Sequence, residues 1–556
     1  MAVTTFSLKL LAALGVDTAK LEENIDKIGM EVEKTEGDDV YIDITPNRPD
    51  LLDSVGFARA MRYLDGKETP KSNFYSLKNK PELTVITSES VKKVRPVIEA
   101  MVVKNADLHG KLKYIINFME KLSETYGRKR KKIAMGLHNL DAIEPPLHYD
   151  AKYEGSFVPL GSDREMSFRQ ILEEHEKGIA YTNTVKAGMY PVLSDSKGSI
   201  MSLIPIINSQ LTKVKEDTKN LFIDITGTSE PAVRNALNIL ACMFIDLGFD
   251  VYPCTIKSEG KEMVTPQLSY REMKLRPILV KRALGVDIDQ AKIITLLNKM
   301  GFDGAIYGRY VLAYVPPYRV DVLNQQDLIE DIAIAYGYNN IIPMPVAGTS
   351  VGIPDEQNEF SDRLSNLLIG MGFTEAVNNY LTNEEINFKR MKKPIDSERV
   401  VKLAYSKVEI YSMLRTSIMP GLLQNLSISA HEPLPQRLFE TGLVFGVENG
   451  KPFEKRMLAF VSEDSRAEFS EIRSYVEALL GTLGIEHKLE ARDDPSFIKG
   501  RCAAIVSNGT AIGIFGEIAP DVLESFGISA PVIGCEIEFM PLFERCCAES
   551  GRSNAK

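Results

Sequence analysis

The 556-residue sequence contains no run of about 18 apolar residues, the length at which a helix can cross the hydrocarbon core of a membrane. Its N-terminal stretch has an apolar patch at residues 8–14, but it lacks the basic leader and the cleavage-like end of a signal peptide. We therefore expect no membrane segment, and we interpret the N-terminus as the beginning of a folded helix.

Cysteine and histidine are both scarce, with six of each. No two cysteines have the C-x-x-C spacing, which argues against a zinc site and a disulfide framework and makes a reducing cytoplasm the expected location. His138, His148 and His175 carry no sequence signature of a catalytic partner. A nucleophile activated by histidine is therefore not expected.

The chain also lacks an excess of positive charge, since 66 lysines and arginines face 76 acidic residues and give a net charge of −10. Phosphate binding needs a local density of cations, so generic nucleic-acid binding is disfavoured. One local exception is Arg128-Lys129-Arg130-Lys131-Lys132. These adjacent cations form either a solvated turn or a contact to a phosphate backbone, and both interpretations stay open.

A chain of this length is too long for one hydrophobic core, so several domains are expected. The periodicity of apolar residues predicts a small α/β domain at 1–67, a larger domain at 91–265, a compact module at 266–345 and a mixed domain at 346–550. Strand-like runs separated by helices recur in the last domain, at Arg437–Phe445, Met457–Val461, Ala503–Val506 and Ile512–Gly516. The whole reads as a multidomain α+β protein that ends in a domain rich in antiparallel strand pairs.

A stiff loop precedes the helix predicted over Leu51–Leu64. A proline on each side of Asn47-Arg48 excludes helix there, and Asp50 follows in a position to cap the helix. The loop either presents Asn47 and Arg48 in a fixed geometry or forms a structural corner.

An acidic helix is predicted from Gln326 onward, because apolar residues recur there at three- and four-residue steps. Asp327, Glu330 and Asp331 share its opposite face, and Asp321 lies six residues upstream, outside the helix. Four converging carboxylates repel one another unless a cation lies among them, and hard oxygen ligands suit Mg²⁺. The alternative is a solvated acidic face near a helix N-terminus, where negative charge is favourable.

Polar residues interrupt or follow several apolar strands, and strand ends are where pockets form on a rigid scaffold. These candidate pocket residues are Asn208, Ser209, Asp224, Thr226 and Thr228. They offer hydroxyls, an amide and a carboxylate, so a positioned water is favoured over a covalent intermediate. The alternative is that they satisfy local turns.

An ordered set of motifs resembles the beta subunit of phenylalanyl-tRNA synthetase, of the archaeal and eukaryotic cytosolic kind. The order of the motifs matches the family, and together they span nearly the whole chain. They are TPNRPD at 45–50, GLHNLD at 136–141, PIINS at 205–209, IDITGT at 223–228, YRVDV at 318–322, DLIEDIA at 327–333, LRTS at 414–417, PGLL at 420–423 and FETG at 439–442.

The resemblance implies a ligase subunit that assembles with an alpha subunit as a heterotetramer of two alpha and two beta chains. The alpha subunit would activate phenylalanine with ATP and attach it to tRNA(Phe). The last domain resembles a class II synthetase catalytic fold that has lost its activity. Glu440 lies in a strand similar to the second class II motif, but no arginine-bearing loop follows to hold ATP.

Two sites follow from the same resemblance. Asp321, Asp327, Glu330 and Asp331 correspond to the family's Mg²⁺ ligands, shared with the alpha subunit. The second domain resembles the family's editing domain, which hydrolyses mischarged tyrosyl-tRNA(Phe). An apolar phenylalanine pocket rejects an additional hydroxyl only about 10²-fold, so tyrosine would otherwise be incorporated.

In that domain the pocket candidates named above would position the water or recognise the tyrosine hydroxyl. The basic cluster at 128–132 is one candidate for contact with the tRNA. Two other functions remain open. One is a purely structural assembly subunit without editing, and the other is a metal-dependent phosphotransferase or nuclease that uses the acidic helix.

Overall fold

The computed structural model describes residues 2–78, 80–185, 188–258, 260–345, 348, 351–406, 408 and 410–549. The chain forms two compact units, Met1–Pro345 and Val346–Lys556, each containing sheets and helices. The predicted mixed, multidomain architecture is thereby confirmed. Within the described ranges, no helix is long and apolar enough to span a bilayer.

The first unit contains three principal sheets and the helices that cover them. Its strands are β1 (Ala2–Ser7), β2 (Glu31–Glu36), β3 (Asp39–Ile44), β4 (Leu83–Thr87), β5 (Val97–Lys104), β6 (Ile133–Asn139), β7 (Leu147–Lys152), β8 (Ser156–Phe157), β9 (Met166–Ser167), β10 (Tyr190–Ser194), β11 (Ile200–Leu203), β12 (Ile207–Asn208), β13 (Leu221–Gly227), β14 (Asp250–Ser258), β15 (Lys261–Thr265), β16 (Arg271–Leu275), β17 (Asp303–Tyr307) and β18 (Tyr310–Val315). Its helices are α1 (Leu8–Ala13), α2 (Leu21–Lys27), α3 (Ser54–Leu64), α4 (Leu112–Glu124), α5 (Phe168–Glu174), α6 (Glu176–Tyr181), α7 (Glu230–Asp246), α8 (Pro277–Leu284), α9 (Gln290–Lys299) and α10 (Gln325–Tyr336).

The N-terminal sheet is antiparallel, in the order β1-β3-β2. In β3, Val40, Ile42 and Ile44 are buried in the alternation that the sequence predicts. The following helix α3 is capped by Asp53, whose carboxylate accepts a hydrogen bond from the Gly56 amide at 2.9 Å. The prediction that Asp50 caps it is wrong, because Arg48 engages both oxygens of Asp50 in a buried ion pair.

The largest sheet runs in the order β12-β11-β10-β7-β4-β14-β5-β13-β6, with β15 paired to β14. Strand β13 is buried along its whole length between β5 and β6, antiparallel to both. Helix α7 contacts β5, β13 and β14, and supplies part of the same core. This register brings polar residues of β13 opposite β6, which determines the position of the candidate site.

The remaining part of the first unit holds the sheet β16-β18-β17 with α8, α9 and α10 around a shared apolar core. Helix α10 begins within one residue of Gln326, the predicted start of the acidic helix. It begins at Gln325, and Asn324 caps it together with Asp327 in a reciprocal capping box.

The second unit is built on a sheet in the order β19-β22-β23-β27-β26-β25-β24. It is antiparallel except between β19 and β22. Its strands are β19 (Thr374–Glu375), β20 (Leu381–Thr382), β21 (Met413–Leu414), β22 (Gln436–Glu448), β23 (Lys451–Glu463), β24 (Lys488–Ala491), β25 (Phe497–Ser507), β26 (Thr510–Ile518) and β27 (Val532–Glu538). Its helices are α11 (Glu356–Gly370), α12 (Met419–Ile428), α13 (Phe469–Thr482), α14 (Pro520–Phe526) and α15 (Phe539–Glu549).

Candidate functional site

A cavity of about 280 Å³ lies in the first unit between β6, β13, α4 and the segment 202–214. Four of the predicted pocket residues line it: Asn208, Ser209, Asp224 and Thr226. Thr228 does not line the cavity; it is exposed, and its amide donates to the Lys132 carbonyl at 3.1 Å. The structure therefore brings most of the candidates together around one concave site.

Asp224 is the buried carboxylate of this cavity, and its Oδ1 lies 3.1 Å from His138 Nε2. The other ring nitrogen, His138 Nδ1, lies 2.8 Å from Thr212 Oγ1. With Asp224 ionised, its carboxylate can only accept, so Nε2 donates to it, and in the neutral ring Nδ1 then accepts from the Thr212 hydroxyl. The sequence carries no signature of this partner, but the structure pairs His138 with Asp224, and the imidazole orients the carboxylate from behind the cavity wall.

Gly136 makes this contact possible. It lies opposite Asp224 in the pairing of β6 with β13, whereas His138 lies opposite Phe222, so His138 and Asp224 are diagonal neighbours on one face of the sheet. A Cβ atom at Gly136 would overlap Asp224 Oδ1 and stand 2.7 Å from His138 Nε2. A side chain at this position would therefore separate the pair.

Thr226 is held by a second buried group, Arg95. Arg95 Nε donates to Thr226 Oγ1 at 3.0 Å, and Nη2 donates to the Thr226 carbonyl at 2.8 Å. Because the guanidinium can only donate, the Thr226 hydroxyl keeps its own proton available for an acceptor in the cavity. Burial lowers the pKa of Arg95 to about 10, opposed by the charges of Tyr149 and Asp224, so the guanidinium stays charged at neutral pH.

Ser209 and Asn208 are engaged mainly by the local chain. The Ser209 hydroxyl accepts from the Leu211 amide at 3.2 Å, and Asn208 Nδ2 donates to the Leu137 carbonyl at 3.2 Å. Ser209 and Asn208 thus fit the alternative interpretation, in which polar residues at strand ends form hydrogen bonds with the local backbone. Asp224 and Thr226 are instead held by the buried side chains of His138 and Arg95.

The basic cluster borders the same cavity through Arg130, one of its lining residues. Arg130 Nη1 donates to the carbonyls of Pro205 and Ile206 at 3.1 and 2.9 Å, and its guanidinium lies 4.2 Å from the centre of the Tyr181 ring. Arg130 therefore fixes one wall of the cavity. The neighbouring side chains of Arg128, Lys129 and Lys131 are exposed.

The four predicted magnesium ligands are engaged in other interactions. Arg319 Nε and Nη2 donate to the two oxygens of Asp321 at 2.9 and 2.7 Å, and Nη2 also donates to Asp331 Oδ2 at 2.6 Å. Asp327 accepts backbone amides at the start of α10, and Glu330 accepts from the Tyr338 hydroxyl at 2.6 Å.

These side chains, as placed, do not fit a magnesium site. A guanidinium lies between the two innermost carboxylates, Asp321 and Asp331, where a metal would have to be. Within the described part of the chain, no three His, Cys, Asp or Glu side chains form a group that could hold a metal ion. The magnesium site at these four residues stays a prediction.

Comparison with known proteins gives the family. Residues 79–242 match the B3/4 domain, 273–338 the tRNA synthetase B5 domain, and 342–539 the phenylalanyl tRNA synthetase beta chain CLM domain. The phenylalanine–tRNA ligase beta subunit of Methanocaldococcus jannaschii is 35% identical over 543 residues, which cover 96% of this chain and 98% of the relative. The chain belongs to the family of phenylalanine–tRNA ligase beta subunits.

Further similarities agree with this assignment. The beta subunit of Archaeoglobus fulgidus is 37% identical over 548 residues, covering 98% of both chains. A crystal structure of an N-terminal fragment of the phenylalanyl-tRNA synthetase beta subunit from Pyrococcus horikoshii matches with a TM-score of 0.57 and 32% identity. It covers 60% of this chain and 100% of the fragment.

In this beta subunit, Glu440 on β22 is buried against an arginine from elsewhere in the chain. Arg415 Nη1 lies 2.6 Å from Glu440 Oε1, and Asn378 Nδ2 donates to Oε2 at 2.8 Å. Gly442 leaves the space that the Arg415 guanidinium occupies. Both oxygens of the carboxylate are thus engaged within the chain itself.

Proposed function

We propose that this beta subunit assembles in the cytoplasm with an alpha subunit that uses ATP to attach phenylalanine to tRNA(Phe), and that its own cavity hydrolyses mischarged tyrosyl-tRNA(Phe). The observation that carries the second part is the buried pair Asp224 and Thr226 on the cavity wall, held by His138 and Arg95. Rigidly positioned polar groups in a concave site are what selective hydrolysis requires.

The pair accounts for selectivity towards tyrosine. The phenol can donate to the Asp224 carboxylate and accept from the Thr226 hydroxyl. Phenylalanine would leave the Asp224 oxygen that His138 does not engage and the hydroxyl proton of Thr226 without a partner in the cavity. Hydrolysis itself is the attack of a water oxygen on the ester carbonyl carbon. The bond to the ribose oxygen breaks, that oxygen takes a proton, and free tyrosine and tRNA(Phe) leave.

The tRNA must reach this cavity, and the basic cluster is the candidate contact. Arg130 lines the cavity, and Arg128, Lys129 and Lys131 are exposed on the same turn. Their side chains would bind tRNA phosphates close to the ester. The affinity for tRNA should therefore fall as the salt concentration rises.

We further propose four domains, at 1–67, 91–265, 266–345 and 346–550, the last of them class II-like but without aminoacylation activity. The three family matches fall within or close to these ranges. The antiparallel sheet of the last domain and the internal pairing of Glu440 with Arg415 support an assembly role for it.

An exposed apolar surface in the second unit supports a protein partner. Strands β20 and β21 pair, and residue 402 bridges to Met413 beside them. Large side chains are exposed along this small sheet and its loops, namely Tyr380, Leu381, Leu403, Tyr405, Ile410 and Tyr411. Apolar surfaces of this kind mark interaction sites, and we assign this one to the alpha subunit.

The deciding experiment is phenylalanine-dependent exchange of pyrophosphate into ATP, measured with the chain alone and with its alpha subunit. We expect no exchange by the chain alone and rapid exchange by the complex. Exchange by the chain alone would overturn the proposed division of labour. A phosphotransferase or nuclease activity of the chain alone that is abolished by chelation would favour that alternative, which the engagement of Asp321 and Asp331 by Arg319 argues against.

A second prediction concerns His138 as a positioning residue. Replacing His138 by Ala is expected to lower kcat for deacylation of tyrosyl-tRNA(Phe) by roughly 10- to 100-fold with little change in KM, because Asp224 loses the donor that fixes its rotamer. His138→Gln should recover part of the rate, since its amide can donate to Asp224. His148→Ala, outside the cavity, is the matched control. Loss of activity by both His138 variants together with a lower melting temperature would instead indicate a packing role.

A further inference from the structure

Arg319 is built into the module at 266–345 as a buried cation. Its Nε and Nη2 donate to Asp321, Nη2 also donates to Asp331, and Nη1 donates to the Met300 carbonyl at 3.0 Å. The guanidinium lies 4.5 Å from the centre of the Phe302 ring. Every nitrogen of the side chain is used, and the residue is only 3% exposed. An arginine held in this way is fixed in position and does not sample solvent.

The two carboxylates depend on this arginine. Asp331 is 4% exposed and its pKa is raised by burial, against which the charge of Arg319 and, more weakly, that of Arg48 act. Burial also works to raise the pKa of Asp321, but the charge and hydrogen bonds of Arg319 hold it below the ordinary value. Paired buried charges are tolerated only when a counter-charge of good geometry is present. Arg319 supplies that geometry as a planar fork with two donors on one carboxylate.

The remaining two acidic residues are bound elsewhere. Asp327 Oδ2 accepts the amides of Leu323 and Asn324 at 2.6 and 2.8 Å, which caps α10. Glu330 is exposed and its carboxylate accepts from Tyr338. For these four residues to hold a metal, Arg319 would have to leave a buried site and the cap of α10 would have to break.

We propose that Arg319 is the resident cation of this module, which therefore folds and keeps its shape without Mg²⁺. The same geometry implies a converse. Removal of the guanidinium leaves the buried Asp331 and the partly buried Asp321 without the donor that they share. These two carboxylates would then bind a divalent cation, because oxygen ligands from two acidic residues suit Mg²⁺ or Mn²⁺.

The first test uses the full-length wild-type chain. After gel filtration in EDTA, elemental analysis should find no bound magnesium, and the thermal unfolding midpoint should be the same in EDTA and in millimolar MgCl₂. Magnesium retained in a stoichiometric amount, or a midpoint that falls on chelation, would overturn the proposal. Neither measurement uses editing or aminoacylation activity, so its result tests this proposal independently of the proposed function.

The second test is Arg319→Gln, with the exposed Arg309→Gln as the matched control. In EDTA, Arg319→Gln should lower the unfolding midpoint by roughly 5 °C or more, and MgCl₂ or MnCl₂ should restore part of the loss. The control should show neither effect. If Arg319→Gln is as stable in EDTA as the wild type, the proposal is overturned. If the variant is destabilised and no divalent cation reverses the loss, the claim that its two carboxylates bind a divalent cation is overturned. If the variant does not fold, the wild-type measurement still decides the main claim.

Discussion

Replacing Asp224 by Asn is expected to reduce hydrolysis of tyrosyl-tRNA(Phe) by roughly 10- to 150-fold, because the tyrosine phenol loses its charged acceptor and a hydrogen bond to a charged group contributes about 1.5–3 kcal/mol. The substitution keeps the volume of the side chain but removes the charge, in a site where Asp224 is buried and Oδ1 is fixed by His138. The measurement is deacylation of preformed tyrosyl-tRNA(Phe) by the complex, alongside attachment of phenylalanine, which should be unchanged.

Thr228→Val is the matched control for this experiment, because Thr228 directly follows the same strand, β13, and does not line the cavity. It should deacylate at the wild-type rate. An Asp224→Asn enzyme that hydrolyses tyrosyl-tRNA(Phe) at the wild-type rate would mean that Asp224 takes no part in the hydrolysis, and it would favour the alternative of an assembly subunit without editing. If the variant begins to hydrolyse phenylalanyl-tRNA(Phe), Asp224 recognises the phenol rather than the water.

Features set by local periodicity could be predicted from the sequence. The alternation of Val40, Ile42 and Ile44 identifies the core face of β3, and the three- and four-residue steps after Gln326 identify α10. The predicted strands of the last domain fall inside β22, β23, β25 and β26. Strand β27, which lies between β23 and β26, is not among the predicted strands, because its place in the sheet depends on pairings with strands distant in the chain.

The candidate site was predictable only in part, for the same reason. Asp224 and Thr226 could be found because they interrupt an apolar strand, whereas the pairing of Asp224 with His138 joins residues 86 positions apart. Only the register of β6 and β13 reveals it.

By contrast, the pairing of Arg319 with the acidic residues could have been predicted from the sequence. Arg319 lies only two residues from Asp321, in the segment between β18 and α10, and its guanidinium is a natural partner for a nearby carboxylate. Converging carboxylates do need a cation among them, but the sequence itself supplies an arginine for two of the four.

Replacing Arg59 by Met is expected to lower the free energy of unfolding by about 3–5 kcal/mol, because it leaves a buried carboxylate without its cation. Arg59 on α3 forms a buried ion pair with Asp246 on α7. Its guanidinium also lies 3.8 Å from Asp50 Oδ2 and 3.6 Å from the centre of the Tyr318 ring. After the substitution, Asp246 would retain only the hydrogen bond from the Tyr75 hydroxyl, at 3.0 Å.

Urea unfolding of the full chain measures this loss, and the double substitution Arg59→Met with Asp246→Leu is its control. Because an apolar pair of similar volume is tolerated in place of a buried ion pair, the double variant should recover much of the stability that the single variant loses. Equal stability of the single variant and the wild type would mean that water replaces Arg59 around Asp246.

The loss of stability in Arg59→Met should also depend on pH, and the burial of Asp246 determines the direction of that dependence. Burial already raises the pKa of Asp246, against the charge of Arg59, and removal of that charge raises it further. A carboxyl whose pKa is higher in the folded than in the unfolded state stabilises the fold only while protonated, so stability falls as the pH rises through that pKa. The deficit of Arg59→Met should therefore be smaller in mildly acidic buffer than at neutral pH. A deficit independent of pH would instead point to the lost packing of Arg59 on Tyr318.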